Sequence, residues 1–213
     1  MDIEENVELT EDEQIIYFQA LAAIANANDN VNAEELNFFR GQKGEFDVSD
    51  RVRKAAKKAL IDPPDINTIC QSMAKSDVKY TLYLDCIMMA YADDILCVDE
   101  ENALARLADH LDIADEQARA LMDFAEAAIE AEKAEGEARE AKKKVVESAA
   151  SNLAAAGVPI AAVAVSGKVA GLSAAGITSG LAALGFGFGM ATGVGVVAAL
   201  GVGSYVGVKK LFG

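Results

Sequence analysis

The sequence predicts an all-α protein in two unlike parts, and three observations carry that expectation. Apolar residues up to about residue 130 recur at the three- and four-residue spacing of a helix. Helix-start signatures such as Thr10 with Glu13 and Asn32 with Glu35 stand just before these runs. All 34 acidic residues lie at or before Glu147, whereas the chain beyond it carries only Lys168, Lys209 and Lys210. So sharp a change of composition marks a boundary.

The elements follow in order. The Thr10–Glu13 capping box, with Ile15, Phe18, Leu21, Ala22 and Ala25 behind it, predicts a helix over about 11–27. Asn32 and Glu35 open a short second helix, stopped by Gly41. Ser49 caps the basic run "DRVRKAAKKAL", and Asp65, after Pro63 and Pro64, caps "INTICQSMAK". "YTLYLDCIMMAYA" is apolar on nearly every side, which predicts a central helix covered by its neighbours and ended by Asp93–Asp94. An amphipathic helix follows over Asp99–Leu111, then a long one from about Asp115.

Composition excludes several classes. The chain has a net charge of −15 and no basic stripe with interleaved aromatics, so nucleic acid is not an expected partner. The acidic start "MDIEENVELTEDE" is unlike a secretory signal and predicts a cytoplasmic location. Cys70, Cys86 and Cys97 lack CxxC spacing and read as small apolar core residues. His110, the one histidine, reads as a helix-end residue. No Gly-rich phosphate loop, nucleophile–base pair or spaced ligand cluster is present, and the expectation is a protein that is not an enzyme.

An internal repeat emerges when residues 25–36, "ANANDNVNAEEL", are laid over 90–101, "AYADDILCVDEE". At an offset of 65, Ala25, Ala27, Asp29 and Glu35 match Ala90, Ala92, Asp94 and Glu100, and Val31 meets Leu96. Each copy is a helix end, a short turn and a helix start rich in acids, so the expected architecture is a bundle of two pseudo-repeated helix-turn-helix units.

"ANDNVNAEE" (27–35) and "ADDILCVDE" (92–100) resemble the Ala-Asp-Gly-x-aliphatic-x-x-Glu-Glu pattern typical of tellurite-resistance TerB-like domains, and the likeness covers about residues 8–130. The resemblance implies a compact acidic helical bundle that binds a divalent metal or a partner near these turns in stress or phage-defence systems. Carried onto this chain, the implied metal positions are Glu34, Glu35, Asp93, Asp99 and Glu100, with calcium the expected ion. Two departures stand out. Asn28 replaces an aspartate, which weakens the case for metal at the first turn, and Asp29 and Asp94 stand at the glycine positions.

The residues themselves leave two readings of these acids open. Carboxylates at a helix start gain ~0.3–1 kcal/mol each from the free N–H groups there, a purely structural reason for Glu34, Glu35, Asp99 and Glu100. A hard-cation site instead needs several oxygens converging at ~2.3–2.6 Å, which the two turns could supply together. Neither turn is an EF-hand, because Phe39 and Leu104 fall where the twelfth-position glutamate would stand.

Residues 131–147 are charged and alanine-rich and read as a solvated helical connector with a bend at Gly136; a heptad seam is the rival. The division expected is thus 1–130, 131–147 and 148–213. From Val169 to Val208 forty consecutive residues are uncharged. Gly176 and Gly180, then Gly185, Gly189 and Gly193, then Gly203 and Gly207 recur at four-residue spacing, which lets helix backbones approach closely in lipid. A glycine-zipper membrane segment accounts for length, spacing and missing charge together, where a water-soluble core or a polar linker does not. Lys142–Lys144 before it and Lys209–Lys210 after it place both ends on the cytoplasmic side, as a glycine-rich helical hairpin would. The function expected is a non-enzymatic sensor or adaptor at the inner face of the membrane, whose tail anchors or perturbs the bilayer on assembly. The alternative is a soluble metal-ion-responsive scaffold whose tail packs in a homo-oligomer or against a protein partner.

Overall fold

The computed structural model describes residues 9–35, 49–69, 73–74, 77–159 and 163. All regular structure among them is helical: α1 (Glu11–Ala25), α2 (Asp50–Ile61), α3 (Ile66–Ile69), α4 (Val78–Ala90), α5 (Val98–His110), α6 (Asp115–Lys133) and α7 (Gly136–Ala155), with residues 33–35 also helical. The stop expected at Gly41, Cys70 and the whole glycine series from Gly176 to Gly207 lie outside the described residues.

The local signals act as their chemistry requires. The Thr10 N–H donates to Glu13 Oε2 at 2.8 Å and the Glu13 N–H to Thr10 Oγ1 at 3.3 Å, a complete capping box. Helix α1 stops two residues early because Asn26 turns its own amide back onto Ala22 O at 2.8 Å, in competition with continuation of the helix. Ser49 Oγ accepts from the Val52 N–H at 3.4 Å and opens α2. At the C-terminal end of α7 Gly157, at φ +78°, lets the helix close with Val158 N–H on Leu153 O at 3.0 Å; a side chain there would strain the backbone.

Helix α4 is the axis of the bundle, with every residue from Tyr80 to Ala90 buried. It packs against α1, α5 and α6; α1 also carries α2 and touches α3 and α5. Tyr17, Phe18, Phe124 and Leu104 are among the fully buried side chains that fill the centre, and truncating an aromatic of this kind costs ~3–5 kcal/mol. Asp85 on α4 is a carboxylate inside this core: 2% exposed, it accepts from the Tyr17 hydroxyl at 2.5 Å. Burial and the Asp85 charge together push the Tyr17 phenol well above its usual range, so it stays a donor.

The connector expected over 131–147 is corrected. Lys133 ends α6, Ala134 and Glu135 are extended, and α7 runs back along α6 as an antiparallel partner. Lys142 pairs with Glu130 near the turn, and Gln117 Nε2 donates to Ala156 O at 3.3 Å at the other end. The cause is a stripe of small side chains. Ala127, Ala128 and Ala131 on α6 and Val146, Ala149, Ala150 and Leu153 on α7 are buried, while Lys133, Glu135, Lys144 and Glu147 are exposed. Residues 148–167, uncharged and ahead of the Val169–Val208 stretch, therefore begin inside the bundle: Leu153, Val158 and Val163 belong to its core. Among the described residues no helix is long and apolar enough to cross a membrane.

Candidate functional site

Two turns meet at one end of the bundle: residues 26–32, which follow α1, and residues 91–97, between α4 and α5. Each begins with successive reverse-turn bonds, Ala27 N–H to Ile24 O (2.9 Å) and Asp29 N–H to Asn26 O (3.1 Å) in one, Ala92 N–H to Met89 O (3.1 Å) and Asp94 N–H to Tyr91 O (3.0 Å) in the other. In each, a side chain then folds onto the backbone two residues on: Asn28 Oδ1 accepts from Asn30 N–H at 3.0 Å, and Asp93 Oδ1 from Ile95 N–H at 3.1 Å. That lock forces the next residue left-handed, Asp29 at φ 58° and Asp94 at φ 69°. Each turn closes on a glutamate. Glu35 Oε2 accepts from the Asn32 N–H at 2.7 Å, and Glu100 Oε2 from the Cys97 N–H at 2.8 Å.

This register decides which acids turn inward. Glu35 and Glu100, third in their helices, are 1% and 2% exposed. Their neighbours Glu34 and Asp99 are exposed, so the structure does not bring them to the junction. Asp93 is at its rim: its Oδ2 accepts from Asn32 Nδ2 at 3.0 Å, and Asn28 Nδ2 donates to Glu100 Oε1 at 3.2 Å. Those two cross-links join residues 61 and 72 positions apart. Asn28 and Asn32 are thus site residues that the sequence pattern alone marks only as a departure and a helix start.

The oxygens of the two glutamates are unequally served. Both oxygens of Glu100 accept a hydrogen bond, whereas Glu35 Oε1 is buried with no partner. Burial pushes the Glu35 carboxyl up to about 7; the Asn32 N–H opposes this, and the Glu100 and Asp93 charges, with the hydrogen bond that a protonated Glu35 gives Glu100, add to it. Two desolvated carboxyl groups side by side call for a cation or a proton between them.

The donor set is all oxygen, which suits a hard cation in kind. Among the described residues, however, no group of three or more His, Cys, Asp or Glu is arranged to hold a metal. Asp93 and the two asparagine carbonyls are engaged in turn and cap bonds as they stand. The other residues considered for chemistry are dispersed. His110 ends α5 with Nε2 against Asn67 Oδ1, Cys86 is buried in α4, and Cys97 is half-buried at the second turn. Comparison with protein-family models, curated proteins and solved structures returns no match.

Proposed function

We propose that the chain is a non-enzymatic sensor or adaptor of the stress or phage-defence type, in which a TerB-like bundle of two pseudo-repeated units responds to a divalent cation at the Glu35–Glu100 junction. The observation that carries this reading is the orphaned, buried Oε1 of Glu35 beside a second buried carboxylate. A hard cation placed there would satisfy the orphan and cancel the repulsion, with Asp93 as the third anionic donor and Asn28 or Asn32 as neutral ones. The output of the reading is the glycine series Gly176 to Gly207, which anchors the protein to membrane or perturbs the bilayer on assembly.

Calcium should then raise the melting temperature of the full chain, since binding to the folded form alone shifts stability by mass action. Glu35→Gln combined with Asp93→Asn should remove that shift. Titration calorimetry showing no saturable heat would assign a proton, not a cation, to the pair. The membrane half is tested by extraction: protein kept in the membrane pellet through alkali supports it, and full release removes it. The burial of Leu153, Val158 and Val163 favours the alternative, a soluble scaffold, for the uncharged residues 148–163, so any membrane segment begins beyond Val163.

A further inference from the structure

Helix α2 is the cationic element of an acidic protein, and its two faces are chemically opposite. Val52, Ala56 and Ala59 recur at four and three residues and are buried against the bundle. Lys54, Lys57, Lys58 and Ile61 recur at three, one and three, which places them about 180° away on the same helix. All four are exposed, Ile61 at 87%. The two arginines of α2 are occupied elsewhere, Arg51 with Glu11 and Asp12 and Arg53 with Asp50. Three exposed lysines alone would be an ordinary solvated face. Ile61 is different: its neighbour Leu60 already packs against the core, so the fold has no need of a second branched aliphatic pointing outward.

We propose that this outward stripe of α2 is a docking face for an anionic lipid surface. The ammonium groups meet headgroup phosphates, and Ile61 enters the boundary between headgroups and acyl chains. Charge complementarity selects the occupant. In a chain of net charge −15, this stripe offers a negative surface three exposed lysines on one helix face, with Asp50 and Asp62 only at the helix ends. A protein partner would need roughly 1,000 Å² of complementary interface, more than one stripe of a twelve-residue helix provides. Nucleic acid would have no use for Ile61 and would be repelled by the rest of the molecule. A fluid bilayer needs neither a pocket nor shape complementarity. The proposal is separate from the glycine series: it predicts a charge-dependent contact whether or not a segment inserts.

The test compares full-length wild type with the Lys54→Gln/Lys57→Gln/Lys58→Gln variant on vesicles of phosphatidylcholine alone and of phosphatidylcholine with one part in three of phosphatidylglycerol. Each lysine near an anionic surface contributes about fivefold in partitioning, so the variant should lose on the order of 100-fold of the preference for anionic vesicles at low salt. Partitioning onto phosphatidylcholine should be the same for both proteins. The chain contains no tryptophan. Ile61→Trp therefore supplies a single reporter, whose emission should move to the blue on anionic vesicles. Equal partitioning of variant and wild type onto anionic vesicles overturns the docking face while leaving an inserting tail intact. Bound protein with an unshifted Trp emission overturns it as well, as does lysine-dependent binding to duplex DNA in place of vesicles. Failure of both proteins to bind any vesicle removes this proposal and the membrane reading together.

Discussion

The turns at 26–32 and 91–97 make the same series of reverse-turn hydrogen bonds with different chemistry, and the difference shows which parts of such a turn are structural. Both need a short side chain with an oxygen that folds two residues forward, supplied by Asn28 in one and Asp93 in the other. Both need a glutamate that reaches back to the residue before its helix, and both put an aspartate at positive φ. The charge at the folding residue and the identity of the cap are free to vary. The first turn uses neutral amides, Asn28 and Asn32, to donate across to Glu100 and Asp93. The second uses carboxylates to receive them. Losing a charge at Asn28 is therefore also the gain of a donor, since an aspartate there could not give Glu100 Oε1 its hydrogen bond.

The largest test of this asymmetry is at the glutamates. A carboxyl whose folded pKa is raised from 4.5 to about 7 binds a proton more readily when folded. Its contribution favours the folded state fully below about pH 4.5 and is lost as pH rises through 7, a change on the order of 3 kcal/mol at most. Glu35→Gln should abolish that slope in metal-free denaturant titrations and stabilise the protein at pH 8. Glu100→Gln should gain less, because one of two satisfied acceptors becomes a donor facing another donor. Equal stabilities for the two variants would erase the distinction between the orphaned carboxyl and the satisfied one.

A smaller effect is expected at the caps. Asn32 Oδ1 accepts from the Glu35 N–H at 2.8 Å, whereas the Cys97 side chain makes no cap bond. Asn32→Ala should cost ~1–2 kcal/mol and Cys97→Ala only a few tenths. Thermal unfolding would show the first as a clear drop in melting temperature; a matching drop for Cys97→Ala would mean that the caps are equivalent after all.

The smallest effect is at the left-handed aspartates. Glycine relieves the Cβ strain there but adds freedom to the unfolded chain, so Asp29→Gly should be stabilising by ~0.5 kcal/mol or less. Asp94→Gly also loses the pair with Lys133, and should come out neutral or slightly destabilising. If both changes stabilise equally, the Lys133 contact has no energetic weight.

The two glutamates differ in how easily the sequence reveals them. Glu35 stands three residues after an asparagine, so its cap register can be read directly, and with it the reason it turns inward while Glu34 does not. Glu100 stands three after a cysteine, which signals no cap, and the inward choice between Asp99 and Glu100 emerges only in the folded chain. The cross-links from Asn28 to Glu100 and from Asn32 to Asp93 join distant residues and leave no local pattern. The helices themselves are legible where bulky apolar residues recur at helical spacing behind a cap, as in α1, or run almost unbroken, as in α4. The pairing of α6 with α7 was not, because alanine packed on alanine buries little area and is written in the same letters as an exposed helix.

That pairing also sets how the bundle would carry a mechanical load. Tension applied to the chain past Val163 enters at the C-terminal end of α7, beside the start of α6, where Gln117 holds Ala156 O and receives the Tyr80 hydroxyl at 3.2 Å. Two antiparallel helices pulled from their open end peel apart one turn at a time, so the force needed is that of a single turn rather than of the whole interface. Once Val163 and Val158 have left the core, Gln117 is thus the first side-chain clasp in the load path, and α7 is the piece that detaches while Tyr17, Asp85 and the two acidic turns stay assembled.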